Sequence, residues 1–200
     1  RMISFARTDT SVVGRWWWTV DRWTLLAVTL LIAIGTLLTL AASPAVAERL
    51  QLQSQHFVLR HAVFLPLAVA VMFVISLMSP RGVRRISVVG FAISLLLVMG
   101  TLFLGPEIKG ATRWLQFAGL SIQPSEFIKP CFAVVAAWML AEQRRREGVP
   151  GGVICCALFA LVIWLLILQP DFGMTAVVAV VWFGQCFIAG LSIVWVAVLF

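Results

Sequence analysis

Charge is what this sequence has least of: 12% of its 200 residues are Asp, Glu, Lys or Arg, against 62% that are hydrophobic. A soluble domain is nearer one quarter charged and one half apolar, because its surface must face water. Too little polar material is present to clothe such a surface, and the mean hydropathy of +1.05 agrees. Water is therefore not the main solvent of this chain. Metal-site spacing is lacking too. Cys131, Cys155, Cys156 and Cys186 all lie in apolar runs, with no CxxC pattern and no histidine cluster beside them. They read as small buried hydrophobes rather than zinc ligands. Low-complexity segments and any stretch resembling a soluble domain are missing as well.

The net charge of +7 invites a nucleic-acid reading. Such proteins gather their basic residues on one solvated face. Here Lys and Arg sit in short groups between long uncharged runs, which is how membrane topology is written in a sequence. A helix rises about 1.5 Å per residue, so roughly 20 apolar residues cross the hydrocarbon core. The uncharged runs are Trp23–Ala47, Ala62–Pro80, Ile86–Pro106, Pro130–Ala141, Gly148–Pro170 and Phe172–Phe200. The fourth reaches spanning length by taking in Ser125–Lys129. The last is too long for one helix, and Gly190-Leu191-Ser192 offers a turn within it. The expected fold is all-α: a polytopic transmembrane helix bundle with six complete spans and the start of a seventh. Residues 1–22 form a cytoplasmic or interfacial N-terminus, and residues 23–200 one bundle truncated at its C-terminal end.

The first run imitates a secretory signal, since basic residues up to Arg22 precede it and Ala45-Val46-Ala47 ends it. A signal core is about 7–15 residues long; this run is longer and more spans follow, so it reads as a retained helix. Ten basic residues (Arg1, Arg7, Arg15, Arg22, Arg81, Arg84, Arg85, Arg144, Arg145 and Arg146) fall on one side of the spans. Five fall on the other: Arg49, Arg60, Lys109, Arg113 and Lys129. The first side is then cytoplasmic. Segments 48–61, 105–129 and 169–173 face outward, and Trp16-Trp17-Trp18 with Trp23 forms an interfacial anchor. Pro66 and Pro130 are expected to kink or start helices.

Three outward segments carry the chemistry. In Gly105–Gly119, Lys109 and Arg113 stand among aromatic and glycine residues. Arginine grips a phosphate bidentately and lysine as a point charge, although cations meeting anionic lipid would explain such a loop equally well. In Gln123-Pro124-Ser125-Glu126-Phe127-Ile128-Lys129-Pro130, Pro124 and Ser125 are helix-start residues, and Glu126 and Lys129 fall three apart on one helical face. A charge at the bilayer centre costs about 2.5–3.5 kcal/mol, so this pair faces a polar cavity or is a simple salt bridge. In Gln169-Pro170-Asp171-Phe172-Gly173, Asp171 is the only charge between Glu147 and the chain end. It is an N-cap, worth about 0.5–2 kcal/mol, a member of a shared outer site, or both.

These motifs resemble the SEDS family (shape, elongation, division, sporulation). Lys109-Gly-Ala-Thr-Arg-Trp114 is similar to the family's Asn-Gly-Ala-x-Arg-Trp. Gln123-Pro-Ser-Glu-Phe-Ile-Lys129 is similar to its Gln-Pro-Ser-Glu-x-x-Lys, and Gln169-Pro-Asp-Phe-Gly173 to its Gln-Pro-Asp-Leu-Gly. Trp17-Trp-Thr-Val-Asp-Arg22 and Ala42-Ser-Pro-Ala-Val-Ala-Glu-Arg49 look most like the division branch. The resemblance implies a ten-helix fold, of which about two thirds is present, and a peptidoglycan glycosyltransferase that polymerises lipid II at the outer face of the bacterial plasma membrane. It implies a class B penicillin-binding protein and other division proteins as partners, and residence at the septum. By it, Lys109, Arg113, Gln123, Glu126, Lys129 and Asp171 line or brace the substrate cavity. The presumed catalytic Asp would lie beyond Phe200, leaving these 200 residues inactive alone. Lys109 and Phe172 depart from the usual Asn and Leu. No cofactor is evident; a divalent cation would suit a departing pyrophosphate, but no complete ligand set for one is visible. A lipid II flippase and a non-catalytic division scaffold are the competing readings. The first should carry ionisable groups at midplane depth, and the runs Trp23–Ala47 and Ile86–Pro106 have none. The second would dock partners on Arg144–Arg146 and the tryptophan-rich N-terminus.

Overall fold

The computed structural model describes residues 11–51, 53, 55–106, 111–117, 120–144 and 150–190. Helices dominate because a backbone in lipid must satisfy its own hydrogen bonds. In chain order the elements are α1 (Val12–Thr19), α2 (Arg22–Arg49), α3 (His56–Ser76), α4 (Pro80–Leu104), β1 (Leu115–Phe117), β2 (Leu120–Ile122), α5 (Pro124–Arg144), α6 (Gly151–Leu168) and α7 (Phe172–Ile188). Helices α2, α4, α5 and α6, and Phe57–Ser76 of α3, are long and apolar enough to cross a membrane. At 17 residues α7 is shorter, about 25 Å long. The seventh span expected after Gly190 lies outside the described residues. Gly190 itself follows α7 at φ +72°, a left-handed conformation suited to glycine at a helix end.

The helices fall into two compact units, residues 1–79 and 80–200. In the first, α1 begins at Ser11, whose hydroxyl accepts from Gly14 N–H at 3.0 Å. Asp21 caps α2, accepting from Trp23 N–H and Thr24 N–H at 3.1 Å each and from Thr24 Oγ1 at 2.5 Å. These bonds, the Thr24 hydroxyl foremost, hold its carboxyl below the usual carboxylate range. Along α2, Thr29, Thr36 and Thr39 each return a hydroxyl to the carbonyl four residues back at 2.8 Å, so that no polar side chain is stranded in hydrocarbon. Thr36 also meets His61 Nε2 of α3 at 3.2 Å. Trp16 ties α1 to the end of α3: its Nε1 donates to Ser76 Oγ at 2.7 Å, and its ring meets the Phe73 ring edge-on at 5.0 Å. Pro44 and Pro66 both lie inside helices. Apolar side chains such as Trp23, 79% exposed, cover α2. That much exposed hydrocarbon fits lipid and not water.

The second unit holds the buried core. Phe91 of α4, Phe132 of α5, Phe159 of α6 and Trp182 of α7 form a chain of rings, ending in a parallel stack of Phe159 on Trp182 at 4.1 Å. Trp182 Nε1 donates to Cys155 Sγ at 3.2 Å. Cys155 and Cys186 are buried, Cys131 and Cys156 half-buried, and all four are unpaired. Glycines allow close approach: a Cβ on Gly151 would stand 2.0 Å from the Met139 carbonyl oxygen. Arg144, at the end of α5, donates to the Ala189 and Ile188 carbonyls at 3.0 and 3.2 Å and so closes the C-terminus of α7. One element departs from the helical expectation. Between α4 and α5, β1 and β2 pair antiparallel, Leu115 opposite Ile122 and Phe117 opposite Leu120. Three-residue strands are too short to leave a readable alternation.

Candidate functional site

At the end of the second unit where α4 stops and α5 starts, three segments distant in sequence meet. The first is the stretch just before β1, which carries Arg113. The second is Gln123, immediately before α5. The third is the α6–α7 junction, where residues 169 to 171 must turn the chain back into the bundle. Proline at 170 and a capping aspartate at 171 favour that break.

Asp171 anchors the cluster. It is 4% exposed. Its Oδ1 accepts from Met174 N–H at 3.4 Å and faces Arg113 Nη1 at 3.6 Å. Its Oδ2 accepts from Gln123 Nε2 at 3.2 Å. The carboxylate is thus an N-cap and the centre of a polar cluster at once. Arg113 reaches further: Nε donates to the Gln169 carbonyl at 3.2 Å, and Nη2 to the Pro170 carbonyl. Guanidinium carries five N–H groups. Three are engaged in these contacts, and the side chain is 34% exposed, so two donors are left over among the described residues. Beneath lies Gln169, fully buried, whose Nε2 donates to Thr101 Oγ1 and, at 3.4 Å, to the Val98 carbonyl. Thr101 in turn donates to Val98 at 2.7 Å. Ser125 Oγ and Gln169 Oε1 are buried without a hydrogen-bond partner among the described residues.

Glu126 and Lys129 pair with each other at 2.7 Å across one turn of α5. Among the described residues they form no ion pair with Arg113 or Asp171. Glu126 is half exposed and Lys129 is one quarter exposed, so the pair stands on the surface of the helix start rather than in the core. Of the six residues expected to share a site, the fold therefore brings Arg113, Gln123 and Asp171 into contact, places Glu126 and Lys129 within two turns of Gln123, and leaves Lys109 outside the described residues. Thr101 was not legible as a member; a threonine in an apolar helix gives no sign of its partner. Gln169 had a signal, as the polar residue that closes a long apolar run before proline. The Gln-Pro openings of α5 and α7 are used differently: Gln123 donates to the α7 cap Asp171, whereas Gln169 donates to Thr101.

Together these features define a multi-pass helical membrane protein with a braced polar cluster at one end of its bundle. The model of the cell cycle protein family of FtsW, RodA and SpoVE matches residues 22–200, and the chain belongs to that family. It is 42% identical to the probable peptidoglycan glycosyltransferase FtsW of Caulobacter vibrioides over 194 residues, 96% of this chain and 50% of that protein. Its fold is similar to the crystal structure of the rod shape determining protein RodA of Thermus thermophilus, with a TM-score of 0.68 and 29% identity over 88% of this chain and 55% of that one. A structure showing the coordination of polymerization and crosslinking by a peptidoglycan synthase complex is similar too, with a TM-score of 0.68 and 28% identity over 90% of this chain and 52% of that one. The chain spans about half the length of the curated relatives it matches.

Proposed function

We propose that the whole protein is a peptidoglycan glycosyltransferase, a lipid II polymerase of the septal cell-wall machinery. In this reading the N-terminus is cytoplasmic, the Arg113–Gln123–Asp171 cluster faces outward, and a class B penicillin-binding protein works beside it. The observation that carries the reading is that cluster, drawn from three separated segments in a chain whose relatives bear the name of that activity.

Glycan extension needs a base for the acceptor hydroxyl and positive charge for the departing pyrophosphate. Arg113 supplies the second requirement: its two spare donors and partial exposure suit a phosphate oxygen, while the Gln169 and Pro170 carbonyls fix the plane of the guanidinium. Lys129 adds a second cation at the start of α5, paired with Glu126. Neither carboxylate is free to act as the base. Asp171 is held by Arg113, Gln123 and the α7 amide, and Glu126 by Lys129. Both brace the cavity, and the base belongs to residues beyond Phe200, so these 200 residues would be inactive alone. Among the described residues no three candidate ligands stand together to hold a divalent cation.

The test is polymerisation by the full-length protein, purified in detergent with its penicillin-binding partner and given labelled lipid II. Detergent has no second leaflet, so transport cannot be scored and only polymerisation yields long glycan. Glycan that persists when the partner's transpeptidase is inactivated supports the proposal. No polymer from an intact complex would refute it and favour the flippase.

A further inference from the structure

The opposite end of the second unit, where α4 starts and α5 finishes, carries a groove that the polymerase reading does not use. It measures about 560 Å³ and is lined by Arg81, Arg84, Arg85, Val88, Val89 and Trp138. That is within the range of small-molecule sites. Positions 81, 84, 85, 88 and 89 recur at helical spacing, so they form one stripe of α4, and Trp138 of α5 is the facing wall.

Three arginines stand together here with no ion-pair partner among the described residues. Arg84 lies 5.9 Å from the Trp138 ring centroid, a cation–π contact that holds its guanidinium at the groove. None of the three forms an ion pair among the described residues; the two ion pairs lie at the far end of the unit. The first turn of α4 has no acidic residue. The arginines do not serve their own helix either, since cations are unfavourable at the positive end of the macrodipole. Topology alone needs basic residues on this side, but not on one face beside an aromatic wall.

Polarity along the stripe identifies the occupant. From Arg81 to Val89 the helix rises about 12 Å, and over that distance the lining changes from three cations to two valines and an indole face. The stripe enters the membrane as it becomes apolar, because α4 is a spanning helix. A soluble anion would use only the basic end. An acidic peptide would have no use for an apolar strip descending into hydrocarbon. We propose that this groove is a binding site for an anionic phospholipid, its phosphodiester held by Arg81, Arg84 and Arg85 and one acyl chain lying along Val88, Val89 and Trp138. With the N-terminus inside, the lipid belongs to the cytoplasmic leaflet. Only that placement depends on the proposed topology; binding itself is independent of polymerase activity.

The experiment uses the full-length protein in a neutral detergent, with retained lipid counted by native mass spectrometry. Phosphatidylglycerol and phosphatidylcholine of matched chains are the probes, and inorganic phosphate and glycerophosphoglycerol are the competitors. Phosphatidylglycerol should be retained at least tenfold better. Each of Arg81→Gln, Arg84→Gln and Arg85→Gln should weaken retention about fivefold, the share of one basic residue at an anionic surface. Arg22→Gln, a basic residue remote in the sequence and not among those lining the groove, should leave it unchanged. Val89→Trp keeps all three charges and fills the groove, and it should also abolish retention. Each variant is accepted only if it stays monodisperse and melts close to wild type; Val88→Trp is the reserve if Val89→Trp does not. Equal retention of the two lipids, loss on charge removal but not on groove filling, or displacement by phosphate or the free headgroup alone would each overturn the proposal.

Discussion

Breaking the Arg113–Asp171 pair should unsettle more than one salt bridge, and a double-mutant cycle isolates the part that belongs to the pair. Two unit charges 3.6 Å apart attract by roughly 4–5 kcal/mol at an effective dielectric of about 20. Arg113 is about one third exposed, so water screens it, and exposed pairs measure about 0.2–1 kcal/mol. Asp171 is nearly buried and fully engaged, which raises the figure. A coupling of about 1–2 kcal/mol between Arg113→Ala and Asp171→Asn is the expected result. Asp171→Ala alone should cost more, about 3–4 kcal/mol, since it also removes the cap on Met174 and the acceptor for Gln123. The assay is unfolding of the full-length protein in mixed micelles by added denaturing detergent, followed through tryptophan fluorescence. A coupling below about 0.3 kcal/mol would mean that the two side chains stand near each other without cooperating, and the cluster would lose its centre.

Other expectations follow from single contacts. Thr101→Val leaves Gln169 Nε2 with only the Val98 carbonyl at 3.4 Å, so stability should fall by about 1–3 kcal/mol; Thr101→Ser should restore it, both read as melting temperatures in detergent. Gly151→Ala should destabilise by about 1–3 kcal/mol or more, because its Cβ would strike the Met139 backbone at 2.0 Å. Gly100→Ala, with nothing within 4 Å, should be neutral or slightly stabilising in the same measurement. The Asp21 carboxyl is held below its ordinary value, so its cap contributes above the unfolded value of about 4 and is lost as pH falls through the lower folded value. Amide protection at Trp23 and Thr24, corrected for intrinsic exchange, should therefore drop at low pH in wild type and not in Asp21→Asn, which caps without titrating.

The helices were the most legible part of the chain, because lipid leaves few alternatives to a long uncharged run. The run that ended at Ala47 extends in the fold to Arg49, since a helix end needs capping and solvated charge that hydropathy does not register. Asp171 was visible as a helix cap and Gln123 as the residue before the Pro124-Ser125 helix start, and their spacing within each motif was local information. Their contact with each other is tertiary and came only with the fold. Thr101 beneath Gln169 left no trace in the sequence for the same reason. Glu126 and Lys129 were readable as a pair from their i, i+3 spacing alone. Arg81, Arg84 and Arg85 read as topology charges. Only packing α4 against α5 sets Trp138 opposite them.

The measurement that bears most directly on the central claim is glycan polymerisation by full-length variants at the Arg113 cluster. Arg113→Lys keeps the charge but cannot hold both carbonyls and a phosphate in one plane; Gln123→Ala and Asp171→Asn loosen its brace. Each, purified as a folded complex with the partner, should make at least tenfold less long glycan from lipid II. Arg22→Gln, remote from the cluster in the sequence, should polymerise as wild type does. Cluster variants that remain folded and polymerise at the wild-type rate would contradict the account and reduce Arg113, Gln123 and Asp171 to a structural clamp between α5 and α7.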